Sequence, residues 1–474
     1  KNITGAVGSA GLEQLGVVQS DVTSLVQGVS NILQTAATSF TLNSYRHYDT
    51  YQATLGAGSA VTNQYGFYAH SSLTGATNNY GFYGNIAAGT GRYIPITLEE
   101  HWNSEHMKSV RRRMMAGETL PECEVCNNKL LNTNVYRDYF THLFGHKLPI
   151  IYASTYDSGR TTMQPISWDY RFSNLCNFKC RTCGDMLSSS WESEEKQHAM
   201  VDFSNPKNNW MREDVRNEIT RFQTSQIEAE FAAAVEEHRV AEVYWVGGEP
   251  LMYEQHWRYM PRIIELGDGG RLYARYNTNL SRVDYRGINL YRDILVHTRD
   301  WQICASLDGT GQIGEYVRTN LDYRTFLNNF EQGLKYATNR RQMRLDFTLT
   351  LPGMFEVHNV EQLAQQYDVE LLSKVIFSFT PDIVMSPLAL PRELLEPWLD
   401  ELIANSTNKT MRDVLTQLKT RPTFQEQWPN EWATSLKKGK DRILKLEQIR
   451  TQSVTLSDIL GARPAVLEWW MKIA

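Results

Sequence analysis

The chain has 474 residues, of which 42% are hydrophobic and 21% charged, a composition typical of water-soluble proteins with two or three domains. No run of about 18 apolar residues occurs, which excludes a membrane-spanning helix, and the net charge of −5 gives no general attraction to nucleic acid. Five of the six cysteines lie in closely spaced groups, which indicates metal binding in a reducing, cytoplasmic compartment rather than a disulfide scaffold.

Residues 1–93 form a segment whose composition differs from that of the remaining chain. They contain few charged side chains and many Gly, Ala, Ser, Thr and Asn residues, and Asn63–Ala69 recurs as Asn78–Gly84 fifteen residues later. Two copies are too few for a repeat architecture, which needs about three to bury a shared core. The segment resembles bacteriophage tail and virion structural proteins, and the alternative is a flexible, irregular, low-charge extension. Since the chain begins with Lys1 rather than Met, we expect a fragment or a processed product.

The next segment, residues 94–164, begins with a helix signal and contains a pair of cysteines. Thr97–Glu100 has the sequence of a capping box, which predicts a helix as far as about residue 116. Cys123 and Cys126 follow with the spacing Cys-x2-Cys. Because a zinc ion or an iron–sulfur cluster usually takes four protein ligands, this pair alone predicts at most a partial metal site.

Between residues 165 and 385 strand-like runs alternate with helical stretches, which predicts an α/β domain with parallel strands. The predicted strands are 168–173, 242–246, 271–276, 301–307, 343–351 and 375–380. In the fourth and fifth strands polar residues alternate with apolar ones, whereas parallel barrel strands are usually apolar on both faces. One polar face predicts a wet lumen that holds a ligand, and six βα units predict an incomplete barrel. Residues 386–474 are predicted to be mainly helical.

The main group of candidate metal ligands is the run Cys176-Asn-Phe-Lys-Cys180-Arg-Thr-Cys183. Three thiolates at this spacing can hold three corners of a cubane cluster, and since full ligation takes four cysteines, one iron would stay open to another ligand. Two other interpretations remain, a zinc knuckle and three unrelated core thiols. A zinc site requires four ligands in a tetrahedral array, and no fourth Cys or His lies near this run in the sequence.

Three motifs together resemble the radical S-adenosylmethionine enzymes and, among them, the group that contains a twitch domain. The motifs are Arg171–Cys183 with its three cysteines, Val243–Pro250 with Gly-Gly-Glu, and Ser306–Arg318. The resemblance covers roughly residues 97–390. It implies a partial (βα)6 barrel with a helical C-terminal extension, a 4Fe–4S cluster on the three cysteines, and S-adenosylmethionine as cofactor. Ligand sites of such barrels lie at the carboxyl ends of the strands.

The resemblance also implies roles for individual residues. The open iron of a cluster on Cys176, Cys180 and Cys183 would chelate S-adenosylmethionine, and reduction would release a 5′-deoxyadenosyl radical that abstracts hydrogen from a substrate. The expected cofactor-binding residues are Gly247, Gly248 and Glu249 at its amino group, Ser306 and Asp308 at its ribose, Arg318 at its carboxylate, and, with no assigned contact, Asn277.

The sequence departs from the resembled pattern in two places. No cysteine precedes Cys123, although the twitch-domain group carries further cysteines upstream, so at most a partial auxiliary iron–sulfur site is expected at Cys123 and Cys126. We interpret residues 1–93 as a replacement for the first half of that domain. The residue before the third motif cysteine is Thr182 rather than an aromatic residue, so adenine stacking is expected from Phe178 or is absent.

Three further residues have two open interpretations each. Lys179 and Arg181 lie between the predicted ligands, where their charge would favour a reduced cluster, or they point to solvent. Cys304 lies on the predicted lumen face, where it is a core residue or a functional thiol.

These features favour a radical S-adenosylmethionine enzyme, phage-encoded or from a phage-rich environment and located in the host cytoplasm, that acts on a polar substrate. The expected partners are a low-potential electron donor of the flavodoxin or ferredoxin type and a small-molecule or peptide substrate, with no membrane and no nucleic acid. One alternative is a virion-associated structural or binding protein with an inactive barrel, and another is a zinc-binding module.

Overall fold

A computed structural model describes residues 97–118, 120–121, 135–378 and 382–473, without the side chains of residues 135–138 and 206. All of these residues belong to one unit, Ala88–Ala474. The predicted N-terminal segment 1–93 and the pair Cys123 and Cys126 lie outside the described residues. The predicted domain boundaries therefore stay predictions.

A parallel sheet forms the centre of the described chain. Its six strands are β1 (Ser167–Tyr170), β2 (Glu242–Trp245), β3 (Tyr273–Thr278), β4 (Asp300–Leu307), β5 (Met343–Leu349) and β6 (Glu370–Val375). They lie side by side in chain order, and every neighbouring pair is parallel. A strand order that follows chain order is that of a βα-barrel wall, because right-handed crossovers then all return on the same face. The α/β class with a parallel sheet is confirmed, and the arrangement is compatible with a partial barrel.

Helices connect the strands and continue beyond the last one. In the described residues they are α1 (Leu98–Trp102), α2 (Glu105–Met115), α3 (Val135–Phe144), α4 (Leu148–Ala153), α5 (Ser189–Gln197), α6 (Glu213–Phe222), α7 (Glu228–Glu236), α8 (Glu254–Glu265), α9 (Gly311–Val317), α10 (Tyr323–Leu334), α11 (Val357–Gln366), α12 (Arg392–Asn405), α13 (Lys409–Thr420), α14 (Phe424–Gln427), α15 (Trp432–Ile449), α16 (Leu456–Leu460) and α17 (Pro464–Lys472). A π-helical turn, Gln223–Ile227, joins α6 to α7. None of these helices is long and apolar enough to cross a membrane.

Strands β4 and β5 show the predicted alternation of faces. Their apolar side chains, from Trp301 to Leu307 and from Met343 to Leu349, are at most 3% exposed and belong to the central core. The opposite side of the sheet, called here the lumen face, carries polar side chains. Its members are Arg275, Asn277, Gln302, Cys304, Ser306, Arg344, Asp346 and Thr348.

Two predicted elements differ from the structure. The sixth strand is Glu370–Val375 rather than 375–380, because it pairs with β5 from Glu370 beside Arg344 to Val375 beside Leu349, and residues 376–378 form no strand. The predicted helix 97–116 is divided into α1 and α2. The capping box at Thr97 is confirmed, but α1 ends at Asn103 and Ser104 caps a second helix.

The C-terminal helices pack on the open edge of the sheet. Helix α13 lies against β6, where Ser373 Oγ is 3.7 Å from the sulfur of Met411. Leu395, Trp398 and Leu399 of α12 are buried in the same core as the strands. The predicted C-terminal helical region is thus part of the barrel's packing.

A closed network of charges lies at the amino end of the sheet. Glu242, the first residue of β2, is 0% exposed and accepts hydrogen bonds from Arg275 Nε at 2.7 Å, Ser167 Oγ at 2.6 Å and Tyr139 Oη at 2.9 Å. The guanidinium of Arg275 lies 4.7 Å and 4.3 Å from the ring centroids of Tyr139 and Tyr244. Helix α3 therefore covers this end of the lumen through Tyr139.

Candidate functional site

The predicted ligand cysteines lie in the segment that leaves the carboxyl end of β1. Within this segment, residues 172–183, called here the cysteine loop, Lys179 pairs with Thr319 and Cys180 with Arg318 in a two-residue antiparallel ribbon. Residues directly opposite each other in an antiparallel pair project from the same face. The Cys180 thiol and the Arg318 guanidinium therefore share the front face of the ribbon, and Lys179 and Thr319 share its back face.

The backbone of the cysteine loop is held by its surroundings. Every carbonyl oxygen from Phe172 to Cys180 accepts a hydrogen bond from a group outside the loop. In chain order the donors are Gln223 Nε2, Tyr253 Oη with Gly248 N, Ser189 N, Glu249 N, Ser190 Oγ, Asn320 Nδ2, Ser188 Oγ, Arg450 Nη1 and Trp191 Nε1. Such a framework fixes the positions of the three cysteines before any ligand binds.

All three motif thiols are free and poorly accessible. Cys180 is buried, and Cys176 and Cys183 are partly buried. Burial raises the pKa of Cys176 to about 12 and raises the pKa of Cys180 and Cys183, while the Arg318 guanidinium favours the thiolate of each. Because the thiolate is the metal ligand, a metal that binds here must displace the thiol protons.

The arrangement of these thiols suits a cluster better than a single ion. Among the described residues no group of three or more His, Cys, Asp and Glu side chains could hold one metal ion. A zinc ion needs its ligands about 2 Å from one point, whereas a cubane is held at three separate irons, so its thiolates do not converge. Phe178 N lies 3.4 Å from Cys176 Sγ, and the backbone N–H of Gly184 lowers the pKa of Cys183 against the larger effect of burial. Hydrogen bonds to sulfur are common in iron–sulfur sites.

Arg318 is buried next to the thiols and only loosely bonded. Its Nη1 lies 3.3 Å from both carboxylate oxygens of Asp308, longer than the 2.7–2.9 Å or so of strong charge-assisted bonds. Its buried Nε has no hydrogen-bond partner in the described part of the chain. Asp308 is 0% exposed and also accepts a hydrogen bond from Thr182 Oγ1 at 3.3 Å. The geometry leaves Arg318 with donors for a further carboxylate and gives Asp308, expected at a ribose, two internal partners.

Glu249 connects the ends of two strands. Its carboxylate is 1% exposed and accepts hydrogen bonds from Thr278 Oγ1 and Asn279 N, both at 2.6 Å, and from Leu251 N at 3.1 Å. Burial raises the pKa of Glu249, and these hydrogen bonds oppose the shift. Since a carboxylate offers about four acceptor sites, one site remains for another donor such as an ammonium group.

The two glycines before Glu249 allow this turn to lie against the cysteine loop. Gly247 has a φ of +121°, a conformation that residues with a Cβ rarely adopt. A Cβ on Gly248 would lie 2.3 Å from the carbonyl oxygen of Leu175. The Gly-Gly-Glu turn and the cysteine loop are therefore packed backbone to backbone.

The remaining candidate residues lie on the lumen face. Asn277 is beside Cys304, and its Nδ2 is 3.3 Å from Asp346 Oδ2, which also binds Lys374 Nζ at 2.7 Å. Ser306 is beside Asp346 in the neighbouring strand. Burial raises the pKa of Cys304 to about 11.

Three residues of the cysteine loop lie where neither sequence interpretation placed them. The ammonium of Lys179 is 2.5 Å from Glu194, and Arg181, 1% exposed, lies 3.8 Å from the ring centroid of Tyr316. Neither cation points freely to solvent, because both are engaged around the back of the ribbon. Phe178 is 2% exposed and packs in the core, with Arg318 over its ring, so it does not present an open face to an adenine.

Sequence analysis missed the side chains that hold the cysteine loop in place. Tyr253 Oη donates to Ser173 O and accepts from Gly248 N, both at 2.8 Å, and thereby joins the two motifs. Glu194 and Arg450 do the same on the back face of the ribbon. The run Ser188–Ser190 before a predicted helix was the available signal, since serines there cap helices and bind backbone groups.

No model of a known protein family matches the chain, and no curated protein matches its sequence. Among solved structures, the crystal structure of Streptococcus suis SuiB bound to S-adenosylmethionine matches with a TM-score of 0.30 and 13% identity, over 51% of this chain and 45% of that one. The crystal structure of SuiB bound to precursor peptide SuiA matches with a TM-score of 0.31 and 13% identity, over 65% of this chain and 64% of that one. The chain thus spans less than two thirds of either matched chain.

Proposed function

We propose that this chain is a radical S-adenosylmethionine enzyme with a 4Fe–4S cluster on Cys176, Cys180 and Cys183. The observation that carries the proposal is the meeting of three free thiols, the partly unbonded Arg318 and the buried Glu249 at the carboxyl ends of parallel strands. A buried polar group without a partner costs about 1–3 kcal/mol. Such a cost is explained where a ligand supplies the missing partners.

The residues of the chain would bind and orient the two cofactors. The cluster, when bound, supplies the electron that cleaves S-adenosylmethionine to methionine and a 5′-deoxyadenosyl radical. The three thiolates hold three irons, and the free donors of Arg318 suit the carboxylate of S-adenosylmethionine, since guanidinium and carboxylate match in geometry. The remaining acceptor site of Glu249 suits its ammonium group. Ser306 and Asn277, further along the lumen face, are available to its ribose and to the substrate.

The lumen face supports a polar substrate without a large net charge. Its cations are paired with carboxylates, Arg275 with Glu242, Arg344 with Glu370 at 3.0 Å, and Lys374 with Asp346 at 2.7 Å. A polyanion would have to compete with each of these pairs. We therefore favour a small polar molecule or a peptide, and a low-potential donor of the flavodoxin or ferredoxin type as the source of electrons.

The test is anaerobic reconstitution of the full chain with iron and sulfide, followed by reduction in the presence of S-adenosylmethionine. We expect 4Fe–4S absorption and formation of 5′-deoxyadenosine. Cys180→Ser should abolish both, and Cys304→Ser should keep both, because Cys304 is equally buried but lies on the lumen face away from the loop.

The same experiment separates the alternatives. Zinc without iron or sulfide would contradict the proposal and support a zinc-binding module. A cluster that forms without any 5′-deoxyadenosine, together with the presence of the chain in purified virions, would support a structural protein with an inactive barrel.

A further inference from the structure

The back face of the ribbon is bound by two buried arginines. Arg450 follows helix α15 in the C-terminal region, and Arg181 belongs to the cysteine loop. Their side chains are each about 1% exposed. Thr319 Oγ1 accepts a hydrogen bond from both, at 3.2 Å from Arg450 Nη1 and 2.9 Å from Arg181 Nη1. Two cations that meet at one hydroxyl fix the ribbon strand that carries Thr319.

Arg450 joins the two ribbon strands to each other. Its Nη1 donates to Lys179 O at 3.0 Å in one strand and to Thr319 Oγ1 in the other. Its Nε and Nη2 bind the carboxylate of Glu194 at 3.0 Å and 2.5 Å, and its guanidinium lies 4.2 Å from the ring centroid of Trp191. Trp191 in turn donates to Cys180 O at 2.7 Å. One side chain from the C-terminal region thus holds every part of the ribbon's back face.

The front face depends on this anchorage. An isolated antiparallel pair of strands is at best marginally stable in water, and this one has only two residues a strand. Its front face carries Cys180 and Arg318, a proposed cluster ligand and the proposed carboxylate-binding group. A displacement of the back face would therefore move both groups relative to Cys176 and Cys183.

We propose that Arg450 is a positioning residue that keeps Cys180 and Arg318 in place on the opposite face of the ribbon. The C-terminal helical region is then a working part of the site rather than an appendage of the barrel. The meaning of this inference rests on the proposed function, but the position of the ribbon can be measured in the metal-free chain.

The test compares Arg450→Met and Thr319→Val with a control, Arg392→Met. Arg392 makes the same kind of bonds elsewhere in the C-terminal region, to both oxygens of Glu426 and to two backbone carbonyls. Amide hydrogen exchange of the metal-free full-length chain is followed at residues 179–183 and 317–320, where Arg181 N donates to Val317 O at 2.7 Å. Iron content after reconstitution and affinity for S-adenosylmethionine are measured in parallel.

We expect Arg450→Met to speed exchange in both ribbon strands and to lower iron retention and cofactor affinity roughly tenfold or more, the usual effect of losing a group that orients metal ligands. Thr319→Val should act in the same direction with a smaller size, and Arg392→Met should leave all three quantities as in the parent. Arg450→Lys should not restore them, because an ammonium cannot bind a carboxylate on two sides and span both strands.

Unchanged ribbon exchange in Arg450→Met and Thr319→Val would overturn the inference, and so would faster exchange with parental iron retention and cofactor affinity. If Arg450→Met does not fold, Thr319→Val decides alone, since it removes one hydroxyl and leaves both cations in place. If the parent chain binds neither cluster nor cofactor, the proposed function fails, while the exchange data still decide whether Arg450 positions the ribbon.

Discussion

The two ends of strand β2 carry buried glutamates whose charges are treated in opposite ways. Glu242, at the amino end, is 0% exposed and is bonded to the Arg275 guanidinium as well as to two hydroxyls. Glu249, beyond the carboxyl end, is 1% exposed and is bonded only to a hydroxyl and two backbone N–H groups among the described residues. The first carboxylate has a cation bonded to it inside the chain, and the second does not.

This difference separates the part of the barrel that is complete from the part that awaits a ligand. At the amino end every charge of the network has its opposite within bonding distance. At the carboxyl end Glu249 has a raised pKa because of burial, and Arg318 has an unbonded Nε. Buried charges without full pairing are costly, so an anion and a cation left in this state, at the end where barrel enzymes bind ligands, point to partners from outside.

The largest effect is expected at the complete end. Arg275→Met leaves the fully buried Glu242 without its cation, and breaking one partner of a buried pair costs about 3–5 kcal/mol. Chemical denaturation should show this loss of unfolding free energy. Affinity for S-adenosylmethionine, measured on folded reconstituted protein, should stay at the parental value, and a clear loss there would contradict the division between the two ends.

The second effect is expected at the opposite end and in a different quantity. Arg318→Met should weaken S-adenosylmethionine binding by about 10–100-fold, since hydrogen bonds to charged groups contribute about 1.5–3 kcal/mol. Its unfolding free energy should change little, because the chain gives Arg318 only long contacts to Asp308. Equilibrium dialysis with the reconstituted protein measures the first quantity, and equal binding by parent and variant would refute the assigned role.

A third, smaller effect concerns the junction between the two motifs. Tyr253→Phe removes the hydroxyl that bonds Ser173 O and Gly248 N, and should lower the unfolding free energy by about 1–2 kcal/mol. Tyr285→Phe is a suitable control, because its hydroxyl bonds Glu254 at the surface and its loss should cost well under about 1 kcal/mol. Equal denaturation midpoints for the two variants would show that the junction does not depend on Tyr253.

The smallest effect is a pH dependence. Because burial raises the pKa of Glu249 above its ordinary value of 4.5, the stability linked to its neutral form is present below that value and is lost as pH rises through the folded-state pKa. Glu249→Gln does not titrate, so the parent should lose stability relative to this variant between about pH 4 and pH 7. Denaturation midpoints across this range provide the measurement, and a difference that is independent of pH would contradict the burial argument.

The strands and motif positions were predictable because they depend on local patterns. Alternating residues in β4 and β5, glycines before Glu249 and cysteines after β1 all lie within a few residues of one another. The run Val375–Thr380 was misleading because its apolar composition resembles a strand, whereas pairing with β5 selects the more polar Glu370–Val375. Composition cannot decide between such neighbours when the register of a long-range partner does.

The supporting bonds of the site were not predictable from spacing. Arg450 and Glu194 are 256 positions apart, and Tyr139 and Glu242 are 103 apart. No motif or period extends over such distances, so Arg450 was predicted only as part of a C-terminal helix. The residues that carry out the proposed chemistry follow one another closely in sequence, while the residues that hold them come from the whole described chain.

The hydrogen bonds that occupy every carbonyl from Phe172 to Cys180 bear on what happens when the inorganic group is lost. In zinc fingers the metal is needed for folding, and chelation denatures the domain. Here the loop takes its shape from helices and turns that do not involve the sulfurs, so we expect damage by oxygen to empty the site without unfolding the chain. The emptied protein should then be repairable by delivery of a new cluster, with no need for new synthesis.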